Sequence, residues 1–135
     1  MATLFSRIIA GELPAAVLYE DELCMVILDI APVNKGHALV ISREEYETTQ
    51  ECPGEVLAHL MAVANRVAKR LEQELDIDGY NLLINNRSAS GQEVPHLHVH
   101  VIPRYEGDGK TPVFSKEHYQ EGEMERIARS LRLSR

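Results

Sequence analysis

Three histidines, His96, His98 and His100, alternate with aliphatic residues between Pro95 and Pro103. Successive side chains of an extended strand point to opposite faces, so this spacing predicts a row of imidazoles on one face and an apolar core face on the other. Imidazole can act as nucleophile, base, acid or metal ligand near neutral pH, which makes the row a candidate reactive centre. The alternative is a solvated edge strand.

Metal coordination is one chemistry that the row could serve. Alternate residues on a strand lie roughly 6.6 Å apart, so the two outer histidines are separated by roughly 13 Å. A single zinc ion, with bonds of about 2 Å, can therefore take two neighbours but hardly all three. The spacing suits a line of groups along a polyanion better, although a two-histidine metal site completed by His37 or Asp29 stays open.

Composition limits the class of protein. The chain has 135 residues and 44% hydrophobic content, enough for one core, so we expect a single domain over residues 1–135. A formal charge of −7 with scattered Lys and Arg argues against binding to nucleic acid or to an anionic membrane. No apolar run has membrane-spanning length, and Arg7 and Glu12 interrupt the N-terminal segment, so we expect a cytoplasmic protein. Cys24 and Cys52 are expected to be reduced thiols.

Hydrophobic periodicity predicts the order of the strands and helices. Strands are predicted at residues 17–20, 23–28, 38–42, 79–86 and through the histidine row, and helices at residues 3–10, 53–76 and 121–131. The second helix is the clearest, because its apolar residues recur at spacings of three and four, as in a helix laid over a sheet. Its His59, Arg66 and Arg70 are expected to be solvated. In the first helix, Leu4 and Ile9 are expected to pack in the core.

The order of strands brings further polar residues towards the row. Asp29 and His37 flank the loop between the second and third strands, so they lie at the ends of neighbouring strands. The fourth strand should pair antiparallel with the histidine strand, which would place Asn85 near the row. The loop between these strands, residues 87–91, ends in Gly91, and its amides could hold phosphate oxygens. Each of these features has a structural alternative. Asp29 can be interpreted as a turn former, His37 as a buried core histidine and residues 87–91 as a plain turn.

Residues 91–104 carry a pattern that extends beyond the three histidines. Residues 96–102 read histidine, apolar, histidine, apolar, histidine, apolar, apolar, which resembles the signature of the histidine triad (HIT) family of nucleotide hydrolases and transferases. Residues 5–14 resemble the opening helix of that family, and residues 28–37 resemble its ribose-binding segment. The resemblance implies an α+β fold, with a five-stranded antiparallel meander sheet, one long helix and short terminal helices, and two copies joined in a homodimer.

The resemblance also implies a role for each candidate residue. His98 would attack the α-phosphorus of a nucleotide through Nε2, while a backbone carbonyl holds its Nδ1 proton. His100 and His37 would stabilise charge on the phosphoryl oxygens, and His96 would support the strand. The implied nucleotide-binding residues are Asp29 for the ribose hydroxyls, Phe5, Ile8, Ile27 and Ile30 for the base, and Asn85, Gly91 and Gln92 for the phosphate or leaving group.

Two places depart from the pattern of the family. Many bacterial relatives carry cysteines at the positions of Thr3 and Ser6 and use them with two histidines to hold a structural zinc. Glu45 stands where another zinc ligand would be expected, so we predict no structural zinc here. Glu93 stands where some relatives have a hydroxyl that donates to the leaving atom, and a carboxylate cannot donate unless it is protonated.

The expected function is hydrolysis of purine nucleoside phosphoramidates at the α-phosphate, through a nucleotidyl-histidine intermediate and without a cofactor or a metal. Nucleoside monophosphate would be released. One alternative is a dinucleoside polyphosphate hydrolase, which is less favoured because the chain is short and shows no basic clamp for a long polyphosphate. A non-catalytic nucleotide-binding or interaction module is another. The C-terminal helix is expected to dock on its own domain or on a partner subunit.

Overall fold

The structure, a computed structural model, describes residues 2–110 and 114–135. Its elements are α1 (Leu4–Ile9), β1 (Val17–Glu20), β2 (Cys24–Leu28), β3 (Ala38–Ser42), α2 (Gly54–Glu74), β4 (Gly79–Leu83), β5 (His98–Arg104) and α3 (Glu123–Leu131), with a 3-10 turn at Ser88–Ser90. The α+β order is confirmed, although His96 lies just before β5 rather than within it. None of the described helices combines the length and the apolar character needed to cross a membrane.

The five strands form one antiparallel sheet in the order β1-β2-β3-β5-β4. The expected five-stranded antiparallel sheet with one long helix is confirmed, and the order departs from a simple meander at one step, because β5 rather than β4 pairs with β3. The segment containing α2 takes the chain from β3 to the far edge of the sheet, where β4 lies, and the return places β5 between β3 and β4. The histidine strand is therefore an interior strand, and the alternative of a solvated edge strand is excluded.

The main core lies between α2 and one face of the sheet. Leu60 and Ala64 of α2 are fully buried there, in one cluster with Val40 of β3 and with Val99 and Val101 of β5. The apolar stripe of α2 thus faces the sheet, as its periodicity predicts. Because Val99 and Val101 occupy this face, the residues that alternate with them face the opposite side of the sheet.

A smaller core lies on that opposite face, under α1. Phe5 packs there with Met25 and Ile27 of β2 and with residues 39 and 41 of β3. Thr3 precedes α1 and caps it, because its side chain accepts a hydrogen bond from the backbone N–H of Ser6. The expectation that Leu4 packs in the core is wrong: it is 50% exposed, because this short helix turns Phe5, its one buried residue, towards the sheet.

The expectation that His59 of α2 is solvated is wrong, because its ring contacts a carboxylate. Its Nε2 lies 2.7 Å from Oδ2 of Asp21 in the turn between β1 and β2, and that carboxylate also accepts a hydrogen bond from the Tyr19 hydroxyl. Arg66 and Arg70 are exposed, as expected, with Arg66 lying over the Tyr19 ring at 4.8 Å. These contacts fasten the β1–β2 hairpin to the long helix, which the periodicity of α2 alone does not reveal.

The C-terminal helix α3 buries none of its residues. Its apolar residues Met124, Ile127 and Leu131 are 62%, 39% and 69% exposed. The expectation that this helix docks on its own domain is therefore wrong for the described chain, and docking on a partner subunit stays a prediction. Cys24 and Cys52 are both buried, so the expectation that they lie in or near packing is confirmed, and their reduced state stays a prediction.

Leu60 provides a test of the core. It is completely buried between α2 and the sheet, so Leu60→Ala should lower the free energy of unfolding by roughly 2–5 kcal/mol through lost transfer energy and a residual cavity. The matched variant Leu133→Ala, at a position 95% exposed, should change it by less than about 0.5 kcal/mol. Urea denaturation measures both, and equal effects would contradict the assignment of the core face of α2.

Candidate active site

A cavity of about 610 Å³ opens on the α1 face of the sheet, a size typical of small-molecule sites. One part of its wall is apolar and comes from α1, β2 and the segments that follow them, including Phe5, Ile8, Ile27 and Ile30. The other part is polar and includes Asp29, Asn85, Gly91, Glu93, His98 and His100. The structure therefore brings nine of the twelve sequence-derived candidates, together with Glu93, into the lining of one cavity. His37, His96 and Gln92 do not line it.

Strand register places two histidines on the floor of this cavity. His100 is paired with Leu39 of β3 and with Leu83 of β4, and His98 is paired with Ile41 of β3. Directly opposed residues of antiparallel strands share a face, so both imidazoles lie on the α1 face of the sheet. Their ring centroids are 4.8 Å apart. A single small group bound in the cavity can thus contact both rings.

A backbone carbonyl determines which nitrogen of His98 carries the proton. Nδ1 lies 2.6 Å from the carbonyl oxygen of His96, and because a carbonyl can only accept, Nδ1 holds the proton and donates it. Nε2 is left with its lone pair. Burial lowers the pKa of His98, and the hydrogen bond to the carbonyl raises it by less, so the ring is neutral at pH 7. This is the form of imidazole that can attack an electrophile.

The backbone amide of Val33 sets the tautomers of His37 and His100. The N–H of Val33 donates to Nδ1 of His37 at 3.0 Å, so the neutral ring of His37 carries its proton on Nε2. That Nε2 lies 2.9 Å from Nδ1 of His100 and donates to it, which leaves the proton of His100 on its own Nε2. His100 therefore offers an N–H donor where His98 offers a lone pair.

Burial keeps this pair of rings neutral. Burial, followed by the neighbouring His98 and His37, lowers the pKa of His100 to about 4. Burial also lowers the pKa of His37, against an opposing effect of Asp29. At pH 7 the donors of the site are thus neutral N–H groups rather than imidazolium cations.

Asp29, directly after β2, presents a carboxylate with spare capacity. Its Oδ1 accepts a hydrogen bond from the N–H of Ala31 at 2.9 Å. Its Oδ2 lies 3.7 Å from Nε2 of His37, beyond hydrogen-bond distance, and accepts no hydrogen bond from the described residues. Because an ionised carboxylate is an acceptor only, Oδ2 can receive a hydroxyl or an amine of a ligand.

The loop between β4 and β5 closes the polar end of the cavity. Asn85 and Gly91 line it, and Gly91 has a φ of 107°, a left-handed conformation that favours glycine. Gln92 does not reach the cavity: its Oε1 accepts from the N–H of Arg87, and its Nε2 donates to the carbonyl oxygen of Glu47. Gln92 therefore positions the loop in the described structure.

His96 also lies outside the cavity and is completely buried. Its Nε2 donates to the carbonyl oxygen of Ser42 at 2.6 Å, and its Nδ1 accepts from the hydroxyl of Thr3 at 2.6 Å. The N–H of Thr3 in turn donates to Glu45. Both nitrogens of His96 are engaged, and hydroxyls replace the thiolates that zinc prefers, so these residues do not fit a structural zinc.

A second set of side chains comes closer to a metal site. Asp29, His37 and His100 each bring one ligand atom to within 4.8 Å of the others. A metal bound there would have to break the hydrogen bond between the two imidazoles, because Nδ1 of His37 is already occupied by the Val33 amide. The two imidazoles therefore form a hydrogen-bonded relay, and their nitrogens do not fit a bound metal.

The sequence analysis missed the residues that hold the loop between β2 and β3. Asn34 donates to the carbonyl oxygen of Pro103 at 2.9 Å and to Asp108 at 3.1 Å. Lys110 donates to Asn34 at 3.0 Å and also to the carbonyl oxygen of Val33. These contacts fix the residue whose N–H sets the tautomers of the relay. They join positions 69 to 77 residues apart, so no local signal could have indicated them.

The tautomers can be measured by ¹⁵N NMR of the imidazoles at pH 7. We expect the proton on Nδ1 in His98 and on Nε2 in His37 and His100, because backbone groups fix each choice. Asn34→Ala should shift His37 and His100 towards mixed tautomers by loosening the loop, whereas Asn65→Ala on the exposed side of α2 should not. A proton on Nε2 of His98 would contradict the arrangement.

The buried histidines should make stability depend on pH. Burial lowers the pKa of His37, His96, His98 and His100 below 6.5, whereas the unfolded chain titrates near 6.5. As pH falls from 6.5, the unfolded state takes up protons that the folded state refuses, so the urea midpoint should decrease between pH 6.5 and 5. His100→Gln should flatten this slope and the exposed-site control His118→Gln should not. A urea midpoint that stays constant between pH 6.5 and 5 would contradict the lowered pKa values of these histidines.

Comparison with known proteins identifies the family of the chain. A family profile described as HIT domain matches residues 10–107. An uncharacterized HIT-like protein of Methanocaldococcus jannaschii is 45% identical over 84% of this chain and 87% of its own length. An adenosine 5'-monophosphoramidase of Schizosaccharomyces pombe is 38% identical over 77% of this chain and 75% of its own. The crystal structure of a HIT family member from Bacillus subtilis gives a TM-score of 0.88 at 34% identity, covering 100% of this chain and 99% of that one. The chain therefore belongs to the HIT family, and the resemblance to that family is confirmed.

Proposed function

We propose that this protein hydrolyses purine nucleoside phosphoramidates at the α-phosphate through a nucleotidyl-histidine intermediate. The observation that carries the proposal is the pair of opposite tautomers, with the lone pair on Nε2 of His98 and the proton on Nε2 of His100. A nucleophile beside a donor suits displacement at phosphorus, where one group attacks and the other stabilises the oxygens. The name of the Schizosaccharomyces pombe relative, adenosine 5'-monophosphoramidase, supports an amine as the leaving group.

The cavity offers a place for each part of a nucleotide. A purine ring fits against the apolar wall, which consists of Phe5, Ile8, Ile27 and Ile30. The side chain of Ile30 is almost fully exposed, and a bound base would cover it. The spare Oδ2 of Asp29 accepts from the ribose hydroxyls. The α-phosphate then lies over the two imidazoles, and Asn85 and the amides near Gly91 are available to its oxygens.

In the first displacement, Nε2 of His98 attacks the α-phosphorus. A nitrogen–phosphorus bond forms to the ring as the bond to the leaving amine breaks, and the amine departs with the electron pair and takes a proton from water. The substituted ring carries a positive charge, which the carbonyl oxygen of His96 stabilises through Nδ1–H. Nε2–H of His100 donates to a phosphoryl oxygen, and His37 keeps it in the donor tautomer.

In the second displacement, water attacks the same phosphorus from the side that the amine has left. The bond between phosphorus and Nε2 breaks, the electron pair returns to the ring of His98, and the proton of the water is released to solvent. The product is the nucleoside monophosphate. Two displacements in sequence retain the configuration at phosphorus. His96 supports the strand from behind and Gln92 holds the loop, so neither has to touch the nucleotide.

The covalent intermediate gives the sharpest test. Rapid quenching of the enzyme with radiolabelled adenosine 5'-phosphoramidate should trap an acid-labile label on the protein. His98→Ala should abolish the label and lower turnover by roughly 10⁴-fold or more, because the nucleophile is lost. The control His59→Ala removes an imidazole that does not line the cavity and should keep both.

Two outcomes would end this proposal. Turnover that persists in a folded His98→Ala variant would show that the central histidine is not the nucleophile. Faster hydrolysis of diadenosine tetraphosphate than of the amidate, assayed in parallel, would transfer the assignment to the dinucleoside polyphosphate class.

A further inference from the structure

One carboxylate at the polar end of the cavity has no part in the proposed reaction. Glu93 lines the cavity together with Asn85, Gly91 and His98, and its side chain is exposed. It makes no hydrogen bond or ion pair with another residue of the described ranges 2–110 and 114–135. In contrast, Asp29 already accepts the N–H of Ala31. Among the carboxylates that line the cavity, Glu93 is therefore the one with both oxygens unengaged by the described residues.

The strand order indicates which part of a substrate lies near Glu93. The apolar wall comes from α1, β2 and β3, and β5 with its histidines lies between β3 and β4. Asp29 lies 3.7 Å from His37, the partner of His100, whereas Glu93 belongs to the loop that enters β5 at His98. The two carboxylates therefore approach the pair of cavity histidines from opposite ends. A nucleoside seated on the apolar wall places its phosphorus over β5, so the group bonded to phosphorus on the other side extends towards Glu93.

The charges of the cavity favour a cation at this end. Its titratable lining residues are Asp29, Glu93, His98 and His100, and the two imidazoles are neutral at pH 7 because they are buried. No Lys or Arg lines the cavity in the part of the chain that the structure describes. An anionic polyphosphate leaving group would meet the carboxylate of Glu93 without any compensating cation, whereas an ammonium group would be attracted to it.

We propose that Glu93 makes the site selective for phosphoramidates whose leaving amine carries a second, positively charged group, as a diamine does. The inference rests on the proposed function and adds the chemical class of the leaving group. The carboxylate pairs with the ammonium that is not bonded to phosphorus, while the other nitrogen departs. The pair is solvent-exposed, so the preference should be about two- to five-fold in kcat/KM and should weaken as salt screens it.

Two adenosine 5'-phosphoramidates of equal length provide the probe: one with 1,4-diaminobutane as the leaving amine and one with pentylamine, which replaces the distal ammonium by a methyl group. The wild-type ratio of kcat/KM, cationic over neutral, should be about two to five at low salt. Glu93→Gln should bring the ratio to about one, and Glu93→Lys should bring it below one. The matched control Glu72→Gln, on the exposed side of α2, should keep the wild-type ratio.

The outcomes separate this inference from the function on which it rests. If the wild type and Glu93→Gln hydrolyse both amidates with the same ratio, Glu93 does not select the leaving group, and the phosphoramidase function still stands. If the wild type hydrolyses neither amidate, the proposed function fails and the inference fails with it. A ratio that Glu72→Gln changes as much as Glu93→Gln does would assign the effect to overall charge and overturn the role of Glu93.

Discussion

Hydrogen bonds to the backbone decide the protonation of the histidines in the candidate site. The carbonyl of His96 holds the Nδ1 proton of His98, and the amide of Val33 excludes a proton from Nδ1 of His37. Burial then keeps the rings neutral by making the charged forms costly. Nucleophile and donor are consequently preset before any ligand arrives, so little reorganisation is needed during a reaction.

The fold makes these backbone groups rigid. β5 is paired on both sides, so His98 and His100 project from an interior strand, with the α2 core on the opposite face of the sheet. Asn34 ties the loop that carries Val33 to the carbonyl oxygen of Pro103 near the end of β5, and Lys110 donates to Asn34. A site on strands and a fastened loop is held more precisely than one on free loops.

Local patterns in the sequence were enough to predict much of this arrangement, and contacts between distant residues were not. The alternation around His98 predicted the two faces of β5, and the spacing in α2 predicted its packing. The interior position of β5 depends on the crossover by α2, which no period-two pattern encodes. The partnership of His59 with Asp21 and the fastening by Asn34 join residues far apart in the chain. The phosphate-binding role of Gln92 is implied by resemblance alone. In the structure its side chain instead pairs with the N–H of Arg87 and the carbonyl oxygen of Glu47, two backbone groups that need partners.

The exposed helix α3 has a consequence for the behaviour of the tail. It has nine residues and buries none of them, whereas helices below about 12–15 residues are marginal in water without a surface to pack on. Its turns should therefore open and close many times while the sheet stays intact, and its amide protons should exchange with solvent far ahead of those in β5. A surface that covers Met124, Ile127 and Leu131 would slow that exchange, so the exchange rate of α3 distinguishes a free chain from one whose tail is docked.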